Sequence, residues 1–195
     1  GARLTYSYII PGGVRRDLPD GFDEKVEKAL AFMRRKLKDY YDLFLYNPVT
    51  LNRLRGVGVI KRKDAVKLGL VGPNLRASGV RYDVRKAEPY AAYPEIDFKV
   101  AVRDEGDSLA RVLVRIDEIQ YSMDMIEEVL DKIPSGPLLA KVYATKLIGV
   151  KKELLSRGIV RFPPYYVALR AGAGEAIARV ECSRGEVVYH IISDG

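Results

Sequence analysis

DSLARVLVRIDEIQYSMDMIEEVLDK, residues 107–132, is the stretch from which the fold is read. Leu109, Val112, Ile116, Ile119, Met123, Ile126 and Leu130 recur every three or four residues, the period of one helix face. Asp107 stands where an N-cap carboxylate belongs, and Pro134 and Gly136-Pro137 stop the helix. A helix with such a stripe needs an apolar partner. The partner is upstream, over about 23–46, where Val26, Leu30, Met33, Leu37, Tyr41 and Phe44 form a second stripe that Pro48 ends. Asp20 can cap this helix, with Asp23 in its first turn. Arg34, Arg35, Lys36 and Lys38 crowd its polar side, a solvated face or a docking face for an acidic neighbour.

Outside the two helices the pattern changes. Tyr6–Ile10 reads as an extended or short helical entry closed by Pro11-Gly12-Gly13. Residues 56–104 are rich in Gly and Pro and predict a long irregular middle, with a helical turn over Val49–Leu54 before it. Within it, Gly56–Ile60 reads as a short strand, Lys63–Leu68 as a short helix ended by Gly69, and Asp97–Val102 as an alternating strand. A helix is expected over about 149–157, ending at Gly158. Ala176–Glu181 and Val187–Ser193 form a hairpin around Ser183–Glu186. The expected fold is α+β and mainly helical: two long packed helices, a small antiparallel sheet and a long irregular middle segment, in one domain over 1–195.

Composition narrows the function. The hydrophobic fraction is 48% and the charged fraction 30%, a globular balance. No apolar run approaches the ~20 residues of a spanning helix, and no signal-peptide pattern opens the chain. It begins Gly1-Ala2-Arg3 and ends Ser193-Asp194-Gly195, which suggests a segment of a longer polypeptide. Cys182 is the one cysteine, so it can form no internal disulfide and cannot alone hold zinc or an iron–sulfur cluster; it reads as a small half-buried strand residue in a protein of a reducing compartment. Net charge is +7. The densest cluster, Lys61-Arg62-Lys63, has no interleaved aromatics, which argues against a nucleic-acid platform. One Gln against many charged residues is a thermophile pattern.

Few residues carry chemistry. His190, the single histidine, reads as a strand residue. Gly56-Val57-Gly58 lacks the third glycine of a phosphate loop, and no serine elbow is present. Glu127-Glu128 read as solvated helix carboxylates. What remains is a polar set: Arg76, Ser78, Asp83, Arg85 and Asp107, with Arg111, Arg115 and Glu118 on the helix. Arg76 and Arg85 flank Asp83 and can form a buried charge-assisted network with it. Arg115 and Glu118, three apart, can pair on one helix face.

Several blocks together resemble one family. Gly1-Ala2-Arg3-Leu4, Pro11-Gly12-Gly13-Val14 and Asp17-Leu18-Pro19 are similar to the "GARMH…RPGGV…DLP" segment of the hydrogenase-like large subunit of NADH:quinone oxidoreductase, complex I. Gly72–Gly79 and Asp83–Tyr90 are similar to its "GPxLRASG…DxRK…PY" core. Gly106-Asp107, Arg111, Arg115, Glu118 and Ser122 fit its following helix, and Glu181–Glu186 with Ser193-Asp194-Gly195 its "E-(A/S)-P-(K/R)-G-E…SDG" ending. The wider superfamily includes nickel–iron hydrogenase large subunits.

The resemblance implies a peripheral subunit at the cytoplasmic face of a membrane complex, contacting the membrane arm and binding no nucleic acid. Its family helps form a quinone chamber beside the terminal iron–sulfur cluster of a neighbouring subunit, and the electron donor is NADH or another reductant. The resemblance also implies that the quinone head-group tyrosine and histidine lie upstream of this segment, so the isolated chain is expected to be inactive and to hold no metal of its own. Arg3 matches a family position near that cluster. Thr5 stands at the family's cluster-side histidine and cannot titrate near neutral pH. Ser183 replaces the usual proline, which suggests a divergent or archaeal member, and residues 138–176 match poorly. Two rival readings stay open: a large subunit of a membrane-bound energy-converting hydrogenase or ferredoxin-linked relative, and a non-catalytic scaffold or basic binding module.

Overall fold

The computed structural model describes residues 4–10, 13–138 and 172–194. The helix expected over 149–157 lies outside them, as does Arg3. The chain divides into two compact units: Gly1–Phe22, Pro134–Glu175 and Ile192–Gly195 in the first; Asp23–Ile133 and Ala176–Ile191 in the second.

In the first unit, β1 (Ile9–Ile10) and β2 (Gly13–Val14) pair antiparallel, Ile9 opposite Val14. A single 3₁₀ turn, Thr5–Ser7, precedes them.

The second unit contains the two long helices. α1 (Phe22–Tyr40) has Asp23 and Glu24 in its first turn, where acidic side chains favour the helix dipole. The later α6 (Ser108–Lys132) is capped by Asp107, whose carboxylate accepts from the Ala110 amide at 2.7 Å. Leu30, Leu37, Leu45, Ile116 and Met123 meet in one apolar seam, flanked by Val26, Met33, Tyr41, Leu109, Val112 and Leu113. Each fully buried member of this seam contributes roughly 1.5–3 kcal/mol.

The α1 stripe ends differently from its expected form. Tyr41–Leu45 is a π-helical turn, and the wider turn shifts the facing residue by one. Leu45 is therefore buried, while Phe44, expected in the stripe, is 51% exposed.

α6 is buried on two sides. Its other side packs Ala110 and Val114 against Ala77 and Ala101. Small side chains let these backbones approach closely. Ile119 and Ile126, members of the expected stripe, lie between the packed sides and are exposed.

The irregular middle is a chain of short helices: α2 (Pro48–Leu54), α3 (Arg62–Lys67), α4 (Gly72–Arg76) and α5 (Val84–Ala87). Asn47 caps α2, and Gly69, with φ +64°, follows α3 as its breaker. The strand expected over Gly56–Ile60 does not form. Its backbone is tied instead to the start of α6, Ile60 N–H donating to Gly106 O at 2.9 Å and Ser108 N–H to Val57 O at 2.9 Å. Asp97–Val102 forms no ladder among the described residues either; it leads into Arg103, whose N–H donates to Arg76 O at 3.0 Å. In Asp97–Val102 the alternation reflects one-sided burial, with Phe98 and Ala101 covered; in Gly56–Ile60 the side chains stay largely exposed and only the backbone is tied down.

β3 (Gly174–Cys182) and β4 (Gly185–Ser193) form the expected hairpin, longer by a few residues than its sequence pattern and turning at Ser183-Arg184. Where the hairpin meets α4, a Cβ on Gly72 would strike the backbone of Gly185, and both glycines have positive φ. Only two glycines permit this crossing. Cys182, expected half-buried, is exposed.

Candidate functional site

The polar set of the middle segment converges on Arg76. Its place at the end of α4 puts the guanidinium inside the second unit, where it is 1% exposed. Nε donates to Glu118 Oε1 at 2.8 Å, Nη2 to Glu181 Oε1 at 2.7 Å, and Nη1 to the Tyr82 carbonyl at 3.0 Å. Asp83 Oδ2 lies 3.6 Å from Nη1. All donor nitrogens of Arg76 are engaged, which a buried guanidinium requires.

Asp83 joins a second guanidinium. Its side chain caps α5 by accepting from the Arg85 amide at 3.0 Å. The Arg85 side chain returns as a fork, Nε to Oδ1 at 2.9 Å and Nη2 to Oδ2 at 2.6 Å. Phe98 lies beneath this guanidinium, 4.9 Å from its carbon to the ring centre. Burial pushes the Asp83 carboxyl up, but the Arg85 hydrogen bonds and charge win, and its pKa falls below the ordinary value. Burial acts on Arg85 to lower its pKa, and Asp83 reverses that too.

Two arginines here face three carboxylates, Asp83, Glu118 and Glu181. Glu181 takes the strain of the imbalance. Burial raises its pKa and the single bond from Arg76 only partly offsets it. Around this centre the hairpin is tied down further. Tyr82 Oη donates to Glu186 Oε2 at 2.7 Å, and that bond, with burial, pushes its pKa up to about 12. Arg179 meets Glu88 at 2.7 Å, and the Glu181 amide donates to Tyr90 Oη at 3.1 Å. Among the described residues no buried side-chain nitrogen or oxygen lacks a partner. A satisfied network of this kind fixes one arrangement of an irregular backbone.

The expected residues thus divide. Arg76, Asp83, Arg85 and Glu118 come together. Arg115 does not pair with Glu118: it donates to the Arg111 carbonyl at 2.9 Å, while Glu118 turns to Arg76. Proximity along one helix loses to a buried cation with no other way to satisfy its fork. Asp107 lies outside the cluster and ties the 56–60 backbone to α6, accepting from Gly56 N–H at 2.7 Å as well as capping α6. Burial raises its pKa, but these amide donors bring it below the ordinary value. Arg111 holds the same junction, donating to Gly58 O at 2.7 Å and Gly106 O at 2.8 Å. Ser78 is buried and donates to Asn74 O. Thr5 is exposed in the first unit.

Glu181, Tyr82 and Glu186 were missed as site residues. The available signal was a glutamate inside an apolar strand, where an unpaired charge is costly. Part of the basic side of α1 is used within the chain: Arg34 bridges to Asp124 at 2.9 Å and Glu127 at 2.8 Å, so that glutamate is paired rather than merely solvated. Glu128 likewise pairs with Lys132.

Comparison with known proteins gives the family. The family model described as the 49 Kd subunit of respiratory-chain NADH dehydrogenase matches residues 1–195. The chain is 42% identical over 199 residues to an NADH-quinone oxidoreductase subunit of Sinorhizobium medicae, covering 100% of the chain and 49% of that protein. It is 40% identical over 195 residues to an F(420)H(2) dehydrogenase subunit of Methanosarcina mazei, covering 100% of the chain and 48% of the relative. Among solved structures it is similar to a chain of the membrane-bound sulfane sulfur reductase, an archaeal respiratory membrane complex, with a TM-score of 0.80, 41% identity, and coverage of 100% of this chain and 48% of that one. The chain spans about half the length of the curated relatives it matches. With every residue inside the family match, the chain belongs to the family of the respiratory-chain NADH dehydrogenase 49 Kd subunit.

Proposed function

We propose that this chain is the central part of the hydrogenase-like large subunit of a membrane-associated complex I-type oxidoreductase, forming part of its quinone-reduction site beside an iron–sulfur cluster of a neighbouring subunit. The observation that carries the reading is the unbroken family match across the chain, at 42% identity to a quinone oxidoreductase subunit. The donor set agrees with a cluster held elsewhere: one cysteine and one histidine cannot supply the four ligands of a cluster. Among the described residues no helix is long and apolar enough to cross a membrane.

In this reading the chain's own residues position rather than react. The Arg76 cluster consumes its carboxylates in pairing and holds the hairpin, α4 and α6 in one arrangement. The quinone chamber borrows that rigidity. Thr5 cannot carry a proton near neutral pH, so proton supply to the site runs through groups other than this position.

A second reading rests on the structural neighbour. The 41% identity to a sulfane sulfur reductase chain is level with that to the quinone enzymes, and it supports equally a relative linked to another acceptor and donor. The test is the intact complex, purified with the full-length subunit and supplied with reduced donor. Turnover of a short-chain quinone analogue with none of polysulfide supports the first reading. The reverse result overturns it and selects the second.

A further inference from the structure

One surface of the second unit lies apart from the cluster. From Arg53 to Leu68 the chain runs along the outside as a strap of sixteen residues, of which only Ala65 is buried and Leu54 and Ile60 are half-buried. Arg53, Arg55, Lys61, Arg62, Lys63 and Lys67 lie in it against a single acid, Asp64. None of these six cations enters an ion pair with another described residue. Between them stand exposed apolar side chains: Val57 at 50%, Val59 at 51%, Val66 at 59% and Leu68 at 67%. Within α3 the buried Ala65 fixes the orientation. At 100° per residue, Lys63 and Lys67 point away from it, and Val66 lies beside them.

The strap is also held rigid. Gly56 N–H donates to Asp107, Val57 O accepts from Ser108 N–H, Gly58 O accepts from Arg111, and Ile60 N–H donates to Gly106 O. Its backbone is fixed to the start of α6 while its side chains stay outside. We propose that this strap is a lipid-contact surface that docks on the headgroups of an anionic bilayer.

The chemistry separates this occupant from others. Cations interleaved with apolar side chains suit a membrane interface, where the cations meet phosphates and the apolar groups enter the acyl boundary. Nucleic acid would call for stacking aromatics, and residues 53–68 contain none. The centre of a protein interface is depleted in charged residues, and six cations stand in these sixteen residues. The proposal stands apart from the quinone reading: a quinone-site subunit that touches no lipid fails this test alone.

The test is co-sedimentation of the full chain with vesicles. Equal parts phosphatidylcholine and phosphatidylglycerol are compared with phosphatidylcholine alone, at low and high salt. Binding only to the anionic vesicles, weakened by salt, is expected. Lys63→Gln with Lys67→Gln lowers partitioning about thirtyfold, from the attraction each cation contributes near an anionic surface. Val66→Ser with Leu68→Ser lowers it severalfold, and Lys25→Gln with Lys28→Gln on α1 leaves it unchanged. All these side chains are exposed, and unchanged circular dichroism confirms folding. Equal binding to both vesicles, no binding, or equal loss in the α1 control overturns the proposal. So does tighter binding to a polyglutamate peptide lost in the same strap variants, which assigns the strap to an acidic protein.

Discussion

The second unit is held by two devices of opposite character. Between α1 and α6 the seam of Leu30, Leu37, Leu45, Ile116 and Met123 is apolar and non-directional. At α4, the Arg76 cluster is charged, directional and drawn from four separate stretches of chain. A seam loses stability in proportion to the atoms removed, whereas a buried charge network fails as a unit. Removing one seam residue leaves a cavity. Removing the shared cation leaves carboxylates buried without a partner.

The largest effect is therefore expected at Arg76. Arg76→Met should cost about 3–5 kcal/mol in urea unfolding, because Asp83, Glu118 and Glu181 lose their common partner. A loss no greater than that of a seam truncation would erase the distinction between the two devices. Leu37→Ala should come next, at about 2–4 kcal/mol by the same measurement, with an unchanged denaturant slope.

Gly185→Ala tests the point where the hairpin crosses α4. Its Cβ would meet the Gly72 amide nitrogen at 2.7 Å, in a backbone that already has positive φ. About 1–3 kcal/mol of destabilisation is expected. Retained stability would mean that the hairpin can lift from α4 without loss.

Acid titration distinguishes the members of the cluster by sign. The Asp83 pKa is depressed in the folded chain, so its contribution is complete above the unfolded value and disappears as pH falls through the carboxylate range. Glu181 is raised and acts oppositely: its ionisation opposes folding, and the penalty is relieved as pH falls through its folded pKa. Asp83→Asn should therefore flatten the acid-side fall of the melting temperature. Glu181→Gln should steepen it, by removing the opposing contribution. Identical slopes in both variants would show that the cluster does not hold these carboxylates unequally.

The smallest effect is expected at the π-helical turn. Phe44→Ser should change stability by less than about 0.5 kcal/mol, while its neighbour Leu45→Ala costs about 2–4 kcal/mol. The opposite order would restore the plain helical stripe and remove the turn.

Much of this fold was legible in the residues. The two stripes, the Asp107 cap and the hairpin each depend on contacts within a few residues or on one repeating period, and those signals are local. The strands expected at Gly56–Ile60 and Asp97–Val102 do not form: in the second, alternation records that Phe98 and Ala101 are covered and not what covers them, and in the first, β-branched residues sit exposed on a backbone bonded to the start of α6. Arg76, Asp83 and Arg85 could be grouped since they lie within ten residues of one another. Glu181, 105 residues from Arg76, could not.

By itself, then, the sequence determined the two long helices, the hairpin, the family and the polarity of the middle segment, since each is set by local order or by motif, whereas the short helices α4 and α5 were not legible. Only the tertiary structure decided that Glu118 leaves Arg115 for Arg76, that Leu45 replaces Phe44 in the seam, and that Glu181 completes the cluster. A buried guanidinium takes whatever acceptors the folded chain brings to it, and that choice is made in space rather than along the chain.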